Sequence, residues 1–160
     1  MPVVIGIHGP SGSGKTTLIE RLIPRLAAHG LKVGAMKHAH DGLTVDPQGK
    51  DSWRMWQAGA QAVLLAAPQE ILLRQRSPQA ALDGALAAMP SDLDCVLIEG
   101  FTNDVNASPF NMQLRIAVSP EGLWLNGTQV SRDALGAVEE AIVNLTKPSG
   151  GPCLHRGRRS

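Results

Sequence analysis

The chain predicts an α/β fold, a three-layer sandwich around a mostly parallel sheet, on three observations. Short apolar runs alternate with helix-period segments along the sequence, an order that stacks helices on parallel strands. A glycine-rich loop from Gly9 to Gly14 joins the first run to the first helical segment. The core-forming residues are aliphatic: hydrophobic residues make up 43% of the chain, aromatics only 3%, and Tyr is absent. That composition suits central strands covered on both faces, and 160 residues suit one core.

Val3–Ile7 is β-branched and reads as a buried strand. Lys15 to about His29 carries Leu18, Ile19, Leu22, Ile23 and Leu26 on one helical face. Pro24 lies inside this segment, where its missing donor predicts a kink, and Gly30 ends it. Lys32–Met36 reads as a second strand. Lys37–Lys50 is a polar loop with two His, two Asp, two Gly and a Pro. Ser52–Ala58 predicts a short helix stopped at Gly59, and Ala62–Ala66 and Ile71–Arg74 predict two more strands. Ser77 as N-cap with Pro78 at the first helical position predicts a helix to about Met89. Cys95–Ile98 and Leu114–Val118 are strands, and Leu123–Leu125 runs into the turn signal Asn126-Gly127. The stretch from Leu114 to Val130 is compatible with an antiparallel hairpin at one sheet edge. Ser131 predicts the cap of a last helix to about Leu145. Residues 1–146 thus form the folded domain, and 147–160, rich in Pro, Gly, Arg and Ser, form a basic tail.

Charge and cysteines exclude some classes. The formal net charge is +1, but the tail holds Lys147, Arg156, Arg158 and Arg159 with no acid. That leaves eleven basic against fourteen acidic residues over 1–146, a net −3. A nucleic-acid surface has the opposite sign. Cys95 sits in an apolar run and reads as a buried thiol, and neither it nor Cys153 has metal-ligand spacing. No stretch approaches the ~18 apolar residues of a membrane span. The amino terminus runs straight into a strand without a signal-peptide pattern, so a cytoplasmic setting is expected.

The strongest chemical signal is Gly9-Pro10-Ser11-Gly12-Ser13-Gly14-Lys15-Thr16, which fits G-x-x-x-x-G-K-[ST] between a strand and a helix. Glycines let such a loop wrap so that its amides converge on phosphate oxygens, and the helix dipole favours the anion. Lys15 is placed to reach the β- and γ-phosphates, and the Thr16 hydroxyl to hold Mg²⁺. Asp94-Cys95-Val96-Leu97-Ile98-Glu99-Gly100 supplies the second piece. In P-loop proteins a carboxylate at the end of a neighbouring apolar strand contacts Mg²⁺, and Glu99 holds that position. Gly100 lets the backbone turn close to the phosphates. Asp94 opens the strand at the far end and reads as solvated.

The loop after the second strand brings Lys37, His38, His40, Asp41, Asp46 and Asp51 beyond strand carboxyl ends, where sites form. An Asp there can bind Mg²⁺ or orient a water. The histidines read as solvated loop residues rather than transition-metal ligands. Trp53 and Trp56 lie three apart, with packing the first role and a partner surface the second; Arg74 and Arg76 are candidates for anion contacts. No N-K-x-D guanine-reading element occurs, since Thr146-Lys147-Pro148-Ser149 lacks the acid. The first half of the phosphate loop lacks a lysine, which argues against ATPases with a second signature lysine.

Taken in order, Gly12-Ser13-Gly14-Lys15-Thr16-Thr17-Leu18, Leu22-Ile23-Pro24, Lys37-His38 with His40, Asp46, Gly49-Lys50-Asp51-Ser52, Ala58-Gly59-Ala60 and Glu99-Gly100-Phe101 resemble the MobB family of molybdopterin-guanine dinucleotide biosynthesis adaptor proteins. The likeness covers about residues 3–101. It implies a GTP-binding protein with weak GTPase activity. It also implies Mg²⁺ as the metal, a homodimer, and a MobA-like molybdopterin guanylyltransferase as partner; charge and hydropathy speak for no nucleic acid and no membrane. It carries Ser11, Gly12, Ser13, Gly14, Lys15, Thr16 and Thr17 over as nucleotide contacts, and Asp51 and Glu99, with Thr16, as candidates for Mg²⁺ and water positioning. The chain departs from the family near Ile116-Ala117-Val118-Ser119-Pro120, which lacks an Asp of the family's A-x-D-type stretch. Two other functions share the cradle. A small-molecule kinase using ATP would need an Arg-rich lid, and residues 102–113 contain no Arg. A non-hydrolysing nucleotide switch would bind tightly and turn over negligibly. The mechanism expected of this cradle is Mg²⁺-assisted attack of water on the γ-phosphate, slow because no internal arginine finger is evident and open to acceleration by a partner or dimer.

Overall fold

The computed structural model describes residues 1–39, 42–43, 45–77, 82–100, 112–131 and 133–147. The chain runs β1 (Val3–His8), α1 (Lys15–Ala28), β2 (Val33–Lys37), α2 (Asp51–Gln57), β3 (Ala62–Ala67), β4 (Glu70–Gln75), α3 (Leu82–Ala87), β5 (Cys95–Glu99), β6 (Leu114–Ser119), β7 (Gly122–Leu125), β8 (Thr128–Val130) and α4 (Leu135–Thr146). Six strands form the main sheet in the order β2-β5-β1-β6-β7-β8. β1 pairs in parallel with β5 and β6, and β2 pairs in parallel with β5. The predicted α/β fold with a mostly parallel sheet is therefore present.

Alternation along the strands sends successive side chains to opposite faces. On the first face Ile5, Ile7, Leu97, Ile116 and Val118 meet Ile19, Leu22 and Leu26 of α1 and Leu135, Val138 and Ile142 of α4. Leu22, Leu26, Val138 and Ile142 are fully buried, and each such side chain contributes about 1.5–3 kcal/mol by leaving water. On the second face Val4, Val96 and Ile98 meet Leu82 and Leu86 of α3, with Met36, Met89, Leu93 and Met112 packed around them. Small residues make room there. A Cβ on Gly6 would lie 2.5 Å from Met112 Sδ, and one on Gly34 would lie 2.7 Å from Leu93 Cδ1.

Three features differ from the sequence expectations. β3 and β4 are not part of the main sheet. They pair only with each other, as an antiparallel two-stranded unit. Their apolar composition matches a buried strand, but Leu64, Leu65, Ile71, Leu72 and Leu73 are exposed. The Leu114–Val130 stretch is a three-strand meander rather than a hairpin, since β6 joins β1 in parallel before β7 and β8 fold back antiparallel. Asn126 (φ 48°) and Gly127 (φ 87°) make the tight turn between β7 and β8, as positive φ at both central positions requires. Ser131 does not cap α4. Its carbonyl instead accepts from the Ala134 amide in a preceding turn, and the helix opens four residues later. As expected, α1 runs from Lys15 through Pro24 to Ala28. The helix predicted from Ser77 is described from Leu82; Pro78 and the tail beyond Lys147 lie outside the described residues.

Among the described residues no helix is long and apolar enough to cross a membrane. Cys95 is buried in the core as expected. Burial, and then the neighbouring Asp94, push its thiol up to about 11, which leaves it protonated and unreactive at neutral pH.

Candidate functional site

The site forms where β1, β5 and β2 end together. Their register aligns Ile7 with Glu99 and Lys37 with Glu99, so parallel pairing brings Lys37 and the carboxylate of Glu99 to one sheet edge beside the loop that leaves β1. This is the carboxyl-end crevice of a parallel sheet.

The loop's shape depends on glycine at Gly9, with φ 149°. A Cβ there would fall 2.0 Å from the carbonyl oxygen of Val118 and 3.1 Å from Ser13 Oγ. The loop therefore lies directly against the end of β6. Gly14, at φ 97°, sits at the N-cap of α1 and offers no side-chain cap. The first-turn amides of α1 thus lack a side-chain acceptor from the cap position, which leaves them available to an anion. Ser13 is buried, and its Oγ has no hydrogen-bond partner among the described residues.

Lys15 turns its ammonium back over the loop and donates to the carbonyls of Gly9 at 3.0 Å and Pro10 at 2.6 Å. Thr16, one residue on, donates its hydroxyl to Glu99 Oε2 at 2.7 Å. Glu99 Oε1 lies 3.6 Å from Lys37 Nζ, and the Glu99 side chain is only 12% exposed. Two residues 83 positions apart in sequence, Thr16 and Glu99, thus present a hydroxyl and a carboxylate side by side. These are hard oxygen donors of the kind Mg²⁺ takes, with room for waters.

A cavity of about 520 Å³ opens here, lined among others by Ser11, Lys15, Lys37, His38 and Glu99. A contiguous cleft of about 310 Å³ is lined by Ser11, Gly12, Gly14, Lys15, Thr16, Thr17, Lys37 and Glu99. Together they bring together every residue singled out in the loop except Ser13, which is buried behind it. Asp51 stands elsewhere. It is the exposed first residue of α2 and lines neither cavity. Among the described residues no group of three or more His, Cys, Asp or Glu is placed to hold a metal. His40 and Asp41 lie outside the described residues.

Several sequence candidates are engaged otherwise. The guanidinium carbons of Arg74 and Arg76 lie 4.1 and 4.2 Å from the centre of the Trp56 ring. Arg76 also donates to the carbonyls of Trp56 and Ala60, and Arg74 meets Asp46 at 3.6 Å. These residues fasten α2 and the loop before it to the β3–β4 hairpin, and do not line the phosphate-loop cavity. Asp94 is not simply solvated, since its carboxylate accepts from the Lys32 amide at 2.7 Å and so anchors the start of β2. Gly100 lines the larger cavity, has φ 96°, and leaves no room for a side chain: a Cβ would come within 2.9 Å of His38 Cβ. The chain after Glu99 and the chain after Lys37 pass in contact there, and His38 N–H donates to Glu99 O at 2.9 Å.

His8 was not legible as a site residue. It ends β1 and lines the larger cavity. Burial first, and Arg115 second, hold its imidazole below the usual histidine range. The only sequence signal was its place, one residue before the glycine-rich loop.

Comparison with known proteins places this geometry. The family model described as molybdopterin guanine dinucleotide synthesis protein B matches residues 4–108. The molybdopterin-guanine dinucleotide biosynthesis adapter protein of Haemophilus influenzae is 44% identical over 103 residues, covering 63% of this chain and 58% of that protein. The adapter protein of the same name from Escherichia coli is 41% identical over 98 residues, covering 59% and 56%. The chain thus spans somewhat more than half the length of these curated relatives. A crystal structure of molybdopterin-guanine biosynthesis protein B superposes with a TM-score of 0.63 at 27% identity, covering 89% of this chain and 98% of that one.

Proposed function

The chain belongs to the MobB family, and from that premise we propose that it is a GTP-binding adaptor with weak GTPase activity, acting in the biosynthesis of molybdopterin guanine dinucleotide. The observation that carries the reading is the convergence of Lys15, Thr16 and Glu99 on one crevice at the amino end of α1. In this reading Ser11, Gly12, Ser13, Gly14, Lys15, Thr16 and Thr17 contact the nucleotide.

The residues present fit a triphosphate with its cation. The buried Ser13 Oγ has no protein partner among the described residues, the first amides of α1 lack a side-chain cap, and Thr16 and Glu99 offer adjoining oxygens. Thr16 and Glu99 would hold Mg²⁺; Asp51, which lines neither cavity, would not reach it in this arrangement. When bound, the cation supplies Lewis acidity at the phosphoryl oxygens. Lys15 changes partner, leaving the carbonyls of Gly9 and Pro10 for the phosphate oxygens, where its charge counters the charge that develops on transfer. Lys37 balances Glu99 from the opposite side. Neither Arg74 nor Arg76 lines the crevice, which supports slow intrinsic hydrolysis.

The proposed partners are a MobA-like guanylyltransferase and a second copy of this chain. The exposed aliphatic side chains of β3 and β4 support the homodimer, because apolar residues clustered on a two-stranded unit need cover. Sedimentation equilibrium tests it: a single species at monomer mass removes the homodimer.

Titration calorimetry with GTP and ATP, each with and without Mg²⁺, tests the nucleotide reading. GTP is expected to bind more tightly than ATP and to gain from Mg²⁺, and Lys15→Ala is expected to weaken triphosphate binding at least a hundredfold. Tighter binding of ATP would favour the kinase reading, and unchanged affinity in the Lys15 variant would remove the phosphate cradle.

A further inference from the structure

Lys37 stands one strand farther from the phosphate loop than Glu99. Across the sheet, β1 runs into the loop, its neighbour β5 ends on Glu99, and the next strand, β2, ends on Lys37. The backbone beneath Lys37 is fixed. Lys37 is in register with Glu99, and the His38 amide that follows donates to the Glu99 carbonyl at 2.9 Å. The tip of the side chain is held far less firmly. It is 64% exposed, and its ammonium meets Glu99 Oε1 at 3.6 Å, an ion-pair distance beyond that of a good hydrogen bond. A pair so open to water on the lysine side holds its cation weakly.

The position of that ammonium is distinctive. Glu99 accepts from the Thr16 hydroxyl at one oxygen and meets Lys37 at the other. In a phosphate loop, the cation held by the hydroxyl and the strand-end carboxylate bridges β- and γ-phosphate oxygens. Lys37, on the outer oxygen of Glu99, therefore stands at the γ end of the crevice. Its side chain lines both the larger cavity and the cleft over the loop. Among the described residues, the only other Lys or Arg on either lining is Lys15, which comes from the loop side and rests on the Gly9 and Pro10 carbonyls. Arg74 and Arg76 are engaged with Trp56. The two ammoniums thus approach the crevice from different strands.

We propose that Lys37 is the residue by which this chain tells a nucleoside triphosphate from a diphosphate: its ammonium leaves Glu99 for an oxygen of the γ-phosphate. Two effects favour the exchange. A terminal phosphate carries more negative charge than a carboxylate and offers three acceptor oxygens. Glu99, once its oxygens serve Mg²⁺, no longer attracts a second cation. A diphosphate ends short of Lys37 and gives it nothing to move to. An ammonium is a compact point charge rather than a planar fork, so it senses the presence of the third phosphate more than its orientation, and arginine can stand in for it. The proposal rests on the phosphate-cradle reading and adds to it the residue that senses the third phosphate.

Calorimetric titration of the full chain with GTP and with GDP, in Mg²⁺, tests it through the ratio of the two dissociation constants; ATP and ADP give the same ratio if adenine is preferred. Lys37→Gln is expected to lower the preference for triphosphate about tenfold or more, the loss of one hydrogen bond to a charged group, while diphosphate affinity changes less than about twofold. Lys37→Arg is expected to keep most of the preference. Circular dichroism checks that the variants are folded. Repeating Lys37→Gln in a Glu99→Gln chain separates contact from mere shielding of Glu99. Contact predicts a further loss of preference in that background, and shielding predicts none. Unchanged preference in Lys37→Gln, equal loss of triphosphate and diphosphate, or no effect once Glu99 is neutral would each overturn the proposal. A wild-type chain that binds no triphosphate removes the cradle and this role together. Binding that is lost in Lys15→Ala but keeps its preference in Lys37→Gln removes the role of Lys37 alone.

Discussion

The main sheet and the β3–β4 hairpin are built from similar residues and held by different forces. β5 reads Cys-Val-Leu-Ile-Glu and is buried over its first four positions. β3 reads Ala-Val-Leu-Leu-Ala-Ala, and only Val63 is buried. β5 lies between two strands and two layers, where every aliphatic side chain leaves water. The hairpin has one partner strand, and α2 is joined to it by Arg74 and Arg76 against Trp56 and by the Asp46 ion pair. Apolar composition therefore sets how much a strand gains from cover, whereas topology decides whether the cover is supplied within the chain.

The contrast can be broken most forcefully in the main sheet. Leu97→Ala removes a fully buried side chain at the centre of β5 and is expected to cost about 2–5 kcal/mol, read as a lower denaturation midpoint for the whole domain. A loss below about 1 kcal/mol would mean that the core is not continuous across β5. Next comes Gly9→Ala. The added methyl meets the Val118 carbonyl oxygen, and relieving the clash is expected to cost about 1–3 kcal/mol while opening the phosphate loop and lowering triphosphate affinity. Retained affinity in a folded variant would show that the loop's fit against β6 does not matter for binding. Smallest is Trp56→Ala, which deletes both guanidinium stacks at about 0.5–1 kcal/mol each. Hydrogen exchange should quicken in β3, β4 and α2 and stay unchanged in β1 and β5. Equal quickening in both regions would merge them into one cooperative unit.

The parts legible in the sequence were those whose reasons are local. The phosphate loop was readable because its glycines, lysine and threonine must fall at fixed spacing to wrap an anion. Glu99 was readable as the first polar residue after an apolar run beside that loop. The β7–β8 turn was readable from Asn126-Gly127, but the third strand of the meander was not, because Thr128–Val130 is too short to carry a period. The illegible parts depend on distant partners. Nothing near Arg74 or Arg76 announces Trp56, eighteen or more residues earlier, so they read as candidates for anion contacts and the stacking on the indole was not foreseen. His8 gains its place in the larger cavity from where β1 ends between β5 and β6, which no single segment encodes. Ser131 looked like a helix cap because its side chain suits one, yet the chain uses it one turn too early.

The two faces of the sheet also differ in the atoms they use. The first is packed with branched hydrocarbon, while the second relies on the thioethers of Met36, Met89 and Met112 around five buried residues. All three methionines are only partly buried, and oxidation turns a pliable apolar chain into a polar one. The sheet is therefore redox-asymmetric. Mild peroxide should convert these three sulfurs and loosen α3 first, while α1, the helix that carries the phosphate loop, keeps its packing, an order that peptide mapping with hydrogen exchange would record.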